Sequence, residues 1–274
     1  MGRRCLKIAY LGTAYCGWQV QKNGISVQQT VQEALAKLLG GRPALTGCSR
    51  TDSGVHANAF YCHFNGGENI PNKGLVAGLN TLLPGDIAVL DCFSVPPDFH
   101  ARYSATGKNY IYKIFESPTP SPFLNGRALW LKNAVDLEKM NAACAGLVGT
   151  HNFKSFCAAG SSVQSTVRTV SACFAERSNG LLTFSVTANG FLYNMVRIMV
   201  GTVLEAATGR LEPTQIKNIL ALENRAAAGK TAPACGLYLN RVFYGEALDC
   251  NKKGCKIGTA KKGEENSPQK SGNR

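Results

Sequence analysis

Apolar positions along the chain change their period several times, and each change marks an element. Residues 6–11 read as a strand. From 27 to 39, Val31, Leu35, Leu38 and Leu39 fall at helical spacing, Ser26 stands where an N-cap belongs, and Gly40-Gly41 marks the end. Strands are predicted at 59–64 and 87–95, with a short helix between them that ends near 80–84. A second set opens with the alternating run at 109–115 and continues with a helix near 137–147. It goes on to strands at 167–177 and 181–188, joined by a hairpin turn at Ser178-Asn179-Gly180. Helices at 192–207 and 213–221 follow, Pro213 suiting a first helical turn, and a last strand is expected at 236–244. Both sets mix strands and helices in a similar order, which predicts an α+β fold of two related halves, 1–105 and 106–249. Pro96-Pro97 and the proline-rich stretch 118–122 bracket the passage between them without a long linker, so the halves are expected to pack side by side in one sheet.

One window breaks the pattern. From 47 to 54 no aliphatic residue occurs, yet Arg50, Thr51, Asp52, Ser53 and Gly54 crowd into it, and a strand-like run resumes at Ala59. Asp-Ser-Gly is a common turn sequence in which the carboxylate does no more than bond its own backbone. A polar turn that ends on a buried strand is also where catalytic groups are often mounted. Arg50, two residues before Asp52, is a cation that a tight turn could hold beside the carboxylate, keeping it ionised at neutral pH and ready to act as nucleophile or base.

The run Arg50-Thr51-Asp52-Ser53-Gly54-Val55-His56-Ala57 resembles the signature of the tRNA pseudouridine synthases of the TruA family. The similarity extends to Gly12-Thr13-Ala14-Tyr15-Cys16-Gly17-Trp18-Gln19-Val20-Gln21 and to Phe99-His100-Ala101-Arg102-Tyr103-Ser104-Ala105 with Lys108, Tyr110 and Tyr112. It continues in Phe191-Leu192-Tyr193-Asn194-Met195-Val196-Arg197 and in Thr231-Ala232-Pro233 with Gly236-Leu237-Tyr238-Leu239, and so covers nearly everything before the C-terminal tail. Departures are few: Leu11 for a frequent Asp, Ser49 and Ser53 where Gly and Ala are common, Thr106-Gly107 where basic residues are frequent, and Ala234 for a second Pro.

The resemblance implies two α+β halves forming one continuous, mixed and mainly antiparallel sheet flanked by helices, with a basic RNA-binding cleft across it. It implies isomerisation of uridine at positions 38–40 of the tRNA anticodon stem-loop by a cytoplasmic homodimer. Asp52 matches the catalytic aspartate, acting either by attack on the sugar or by removal of a sugar proton. Tyr110 matches a tyrosine that stacks on the target base and moves a proton at the uracil carbon. Arg197 matches an arginine paired with the aspartate, giving it a fixed position and a low pKa. Arg50 is expected at phosphate or at the extruded base, because a stacked nucleotide hides its glycosidic bond. His56 is expected as a hydrogen-bonding support, Tyr112 and Trp18 as packing residues, and Lys154 and Arg168 as cleft candidates.

Composition narrows the field further. The formal net charge of +13, from 30 Lys+Arg against 17 Asp+Glu, favours a polyanionic partner, and no apolar run is long enough to favour a membrane. Residues 250–274 carry six Lys and one Arg against two Glu, and their Gly, Ser and Asn content predicts a disordered basic tail. Eleven cysteines form no Cys-x-x-Cys pair, the four histidines are scattered, and the N-terminus lacks a signal-peptide core, so reduced thiols and no metal site are expected. No Gly-x-Gly-x-x-Gly and no Gly-x-x-x-x-Gly-Lys-Ser/Thr occurs, and no cofactor is expected. Two rivals stand beside the isomerase. A non-catalytic RNA-binding module would suit the charge but lacks the aromatic RNA-recognition signature. A magnesium-dependent aspartyl hydrolase would want acids near Asp52, and the nearest are Glu33 and Glu68.

Overall fold

The computed structural model describes residues 2–160 and 163–245. The tail at 250–274 and the last four positions of the second half lie outside the described residues. Up to residue 105 the chain contains strands β1 (Arg3–Tyr10), β2 (Thr46–Gly47), β3 (His56–Asn65) and β4 (Ile87–Val95), with helices α1 (Val27–Leu39) and α2 (Asn72–Leu82). Beyond it come β5 (Gly107–Glu116), β6 (Leu129–Leu131), β7 (Gly149–Asn152), β8 (Val167–Ser178), β9 (Leu181–Ala188) and β10 (Leu237–Phe243), with helices α3 (Leu137–Ala145), α4 (Met195–Ala207) and α5 (Ile216–Ala221).

All ten strands belong to one sheet, ordered β4-β1-β3-β10-β5-β9-β8-β7, with β2 on β3 and β6 on β5. Only β3 with β10 and β5 with β6 run parallel; the other pairs are antiparallel. The fold is therefore α+β with a mixed, mainly antiparallel sheet, as the resemblance implies. The last strand, β10, lies in the middle of the sheet, beside β3 on one edge and β5 on the other. α2 packs on β4 and α1 on α2, while α3 packs on β8 and α4. No helix among the described residues is long and apolar enough to cross a membrane.

Local chemistry accounts for several boundaries. The Ser26 side chain accepts from the Gln29 amide at 3.2 Å and Gly40 closes α1 in the left-handed region at φ 71°. Asn179 and Gly180 both have positive φ, at 50° and 76°, as a two-residue hairpin between right-twisted strands requires.

The differences from the predicted pattern are informative. β1 starts at Arg3 rather than residue 6 because its two arginines find carbonyl partners: Arg3 donates to Phe99 O and Arg4 to Ile70 O, each at 2.7 Å. β3 starts at His56 rather than residue 59 because His56 pairs with Tyr238 of β10, a partner remote in sequence. α4 starts at Met195 rather than residue 192, because Asn194 adopts φ 59° in a turn closed by the Met195 amide on Leu192 O. The short strands β2, β6 and β7 carry no periodic signal and are defined only by their neighbours.

Two glycines let the loop after β1 close over the polar window. A Cβ at Gly12 would stand 2.0 Å from the Val55 carbonyl oxygen, and one at Gly17, where φ is +89°, would stand 2.4 Å from that of Thr51. Both clashes are with backbone, which cannot swing aside as a side chain can. Gly12→Ala is accordingly expected to lower the melting temperature by roughly 5 °C or more, and a thermal melt coincident with wild type would show that this contact does not hold the two loops together.

Candidate active site

The polar window forms the connection from β2 to β3, clamped from below by the loop after β1. Trp18 donates its amide to Thr51 O at 3.1 Å, Ser53 donates its hydroxyl to Tyr15 O at 3.2 Å, and the Tyr10 and Thr51 hydroxyls share a buried hydrogen bond of 2.8 Å. Tyr15 is fixed in turn by donating to Asp86 Oδ1 at 2.7 Å, and the Trp18 ring stacks on Phe60 with centroids 4.1 Å apart. Trp18 is thus a packing anchor. The result is a turn whose direction is set by buried groups while Asp52 keeps 30 % of its side-chain surface exposed.

Arg197 reaches Asp52 from the first turn of α4, Nη1 lying 3.3 Å from Oδ2. Its guanidinium is also held by Ala232 O, which accepts from Nε at 2.8 Å, and by Asn194 Oδ1, which accepts from Nη1 at 2.9 Å. The Ala232 amide donates back to Arg197 O at 3.0 Å, and Tyr112 donates its hydroxyl to Pro233 O at 2.8 Å, so the 231–236 segment acts as a brace for the arginine. Tyr112 itself is fully buried. Tyr110, its neighbour on the same face of β5, lines the Asp52 pocket; its hydroxyl lies 3.2 Å from Ser49 Oγ, and its ring meets the edge of Phe191 at 5.0 Å. The pocket measures about 70 Å³ and opens past Arg50 and Tyr193 into a wider groove of about 410 Å³.

Burial and charge compete at the carboxylate. Desolvation raises the Asp52 pKa, the Arg197 charge and hydrogen bond lower it, and burial prevails, leaving the group above its ordinary value. This corrects the expectation of a low pKa: the arginine makes one contact at 3.3 Å rather than a bidentate fork, so it offsets only part of the desolvation. The expectation that Arg50 supplies the neighbouring cation is also corrected. Arg50 is exposed at the rim and pairs with no carboxylate among the described residues, because side chains two apart in an irregular turn diverge. The Tyr110 hydroxyl is held protonated by burial, with Ser49 acting in the opposite direction.

His56 is fully buried and sits below the turn. The Gly12 amide donates to its Nδ1 at 2.9 Å, which leaves Nε2 to carry the proton and donate to Cys235 O at 3.0 Å. Burial lowers its pKa, so a neutral imidazole ties the first loop, β3 and the segment before β10 together. Lys154 pairs with Glu223 at 3.8 Å and Arg168 donates to the carbonyls of Ser165 and Val167, and neither lines the Asp52 pocket. Among the described residues no group of three His, Cys, Asp or Glu is placed to hold a metal ion.

Asn194, Ala232, Ser49 and Phe191 were not singled out from sequence as site residues. Three lie within motifs quoted for the resemblance, but they act through a backbone carbonyl, a left-handed turn and a ring edge, none of which a pattern of residue types displays. Ser49 was visible only as a departure from Gly.

Comparison with known proteins identifies the family. The family model described as tRNA pseudouridine synthase matches residues 143–245. The tRNA pseudouridine synthase A of Clostridium kluyveri is 43% identical over 239 residues, 87% of this chain and 98% of that protein. Those of Shouchella clausii and Syntrophotalea carbinolica are each 44% identical, over 92% and 87% of this chain and 97% and 95% of their own lengths. Fold, site and relatives define a pseudouridine synthase, an isomerase on an α+β sheet. The chain belongs to the tRNA pseudouridine synthase A family.

The opposed effects at Asp52 have a measurable sign. Removing the arginine charge in Arg197→Met leaves desolvation unopposed, so the Asp52 pKa is expected to rise further. Carboxyl ¹³C titration of Asp52 in the two proteins checks this directly, and an unchanged or lower midpoint in the variant would break the assigned pair.

Proposed function

We propose that this chain converts uridine to pseudouridine at positions 38–40 on the 3′ side of the tRNA anticodon stem-loop, with Asp52 as its catalytic carboxylate. The reaction breaks the bond between uracil N1 and ribose C1′, turns the base, and joins C5 to C1′; C5 loses a proton and N1 gains one. Nothing is oxidised or reduced and no group is transferred to another molecule, so the catalytic demand is for an oriented carboxylate, a held base and a proton carrier.

The observation that carries this reading is the Arg197–Asp52 pair in a pocket that Tyr110 and Phe191 also line. Asp52 acts at the ribose, by attack or by removal of a ribose proton, and Arg197 fixes the direction of its carboxylate. Tyr110 stacks against the extruded uracil, and its protonated hydroxyl is the nearest proton carrier to the base. Arg50, exposed at the mouth, contacts phosphate and favours extrusion. His56 supports the turn from beneath. A module that only bound RNA would gain nothing from a half-buried carboxylate whose desolvation costs stability, which favours the isomerase over that rival.

The first half, 1–105, contributes the carboxylate, and the second, 106–249, contributes the tyrosine and the arginine. The excess positive charge serves a basic cleft for tRNA, and the working form is a cytoplasmic homodimer that grips one tRNA.

Asp52→Asn keeps the side chain's size and removes its charge. It is expected to abolish pseudouridine formation while leaving tRNA affinity and its salt dependence within about twofold of wild type. Retention of more than roughly a tenth of the single-turnover rate, about 1.4 kcal/mol in the barrier, would rule out Asp52 as the essential group. Turnover is also expected to continue after exhaustive chelation; loss of activity restored by added magnesium, with the tRNA fold unchanged, would favour the metal-dependent alternative.

A further inference from the structure

The groove that opens from the Asp52 pocket does not end at Arg50. Ser49, Arg50 and Arg102 line both that groove and a second cavity of about 250 Å³, whose far side is formed by Gln19, His100 and Tyr103. Tyr103 is 76 % exposed, the most open tyrosine among the described residues, yet its position is heavily determined. The amides of Arg102 and Tyr103 both donate to His100 Nδ1, at 3.1 and 3.2 Å, and the His100 amide donates to Ser104 Oγ at 3.0 Å. The segment is anchored to the sheet by Tyr244, which donates to Ala101 O at 2.7 Å, and by the Ala101 amide, which donates to His63 Nδ1 at 3.1 Å. Burial lowers the His63 pKa to about 4, so this acceptor stays unprotonated at neutral pH.

The ring of Tyr103 lies against that of His100, centroids 4.4 Å apart, with the Arg102 guanidinium 5.6 Å from its centroid. An exposed ring gains nothing from this order in the free protein, since packing an apolar surface would bury it instead. Arg50 and Arg102 line both cavities and the half-buried Lys108 lines the groove on the Asp52 side, and none of the three pairs with a carboxylate among the described residues. Lys108 projects from the same face of β5 as Tyr110, two residues away, and burial lowers its pKa. A flat ring, with cations set along a groove that leads to the Asp52 pocket, matches a strand whose bases stack and whose phosphates follow the cations.

We propose that Tyr103 is the stacking platform of a second nucleotide subsite, which holds the base of an unpaired nucleotide flanking the target uridine while Arg102 and Lys108 receive the intervening phosphates. The inference rests on the function proposed above and deepens it: the enzyme would grip two bases, one extruded at Asp52 and one stacked at Tyr103. Stacking tolerates any base, so this subsite supplies grip rather than sequence choice. Holding the neighbour apart also offsets the loss of its stacking on the extruded base.

The test uses the full chain and an anticodon stem-loop hairpin, with affinity, its salt dependence and single-turnover pseudouridine formation measured for wild type, Tyr103→Ala, Tyr103→Phe and Arg102→Ala. Tyr103→Ala is expected to weaken hairpin binding about tenfold with an unchanged slope of log K against log salt, because stacking releases no counterions. Tyr103→Phe, which keeps the ring, is expected to bind within about twofold of wild type, and Arg102→Ala to make the slope shallower by about one. Melting temperatures are expected to stay close to wild type, as Tyr103 is outside the core. Wild-type turnover with an unaffected Tyr103→Ala, or a Tyr103→Phe as weak as the alanine, overturns the subsite alone. A Tyr103→Ala that loses its oligomeric state rather than RNA affinity places the ring on a protein interface and also overturns it. A wild type that neither binds nor isomerises the hairpin overturns both the subsite and the function.

Discussion

The contact on which the arrangement depends is the one between Arg197 and Asp52, because it joins groups that the chain keeps 145 residues apart. Its geometry is modest, a single nitrogen 3.3 Å from a single oxygen. The strength lies in what holds the arginine: a carbonyl at Ala232, an amide oxygen at Asn194, and a helix start shifted to Met195 by a left-handed residue. A guanidinium held by two further acceptors gives the carboxylate one orientation without fully cancelling the effect of burial. The carboxyl therefore sits above its ordinary pKa and is poised rather than locked into a strong ion pair.

That meeting requires the sheet to be continuous. β10 runs parallel to β3 and antiparallel to β5, so the strand that follows the 231–236 brace is also the seam that joins β3 to β5 in one sheet. His56 pairs with Tyr238 across this seam, and its ring bridges Gly12 and Cys235. One neutral histidine thus fixes three segments that converge under the turn that bears Asp52. Protonating it would place an unpaired charge in the core and remove the acceptor for Gly12, and burial keeps its pKa low.

The polar turn is supported by buried hydroxyls rather than by apolar packing alone. Tyr10 on Thr51 is a buried hydrogen bond that water cannot contest, and Tyr15 on Asp86 and Ser53 on Tyr15 O add partly buried bonds around it. The close approach of backbone to backbone at Gly12 and Gly17 makes this possible. The same economy recurs at the rim, where His100 orders the segment that presents Tyr103.

Much of this was legible in the residues themselves. Helical spacing and the Ser26 and Gly40 caps placed α1, alternation placed β5, β8 and β9, and the absence of aliphatics from 47 to 54 marked the turn that bears Asp52. These features are local: period, cap and turn chemistry act over a few residues, so the chain displays them directly. Asp52, Tyr110, Arg197, Arg50 and His56 were singled out from motifs. The resemblance already implied that Arg197 meets the carboxylate; only the tertiary structure decided that Arg50 turns away from it, that burial outweighs the arginine at Asp52, and that β10 closes the seam. It also decided the short strands β2, β6 and β7 and the start of α4. Each of these depends on distance and desolvation between segments remote in sequence, and no periodicity within a segment encodes which distant group will arrive beside it.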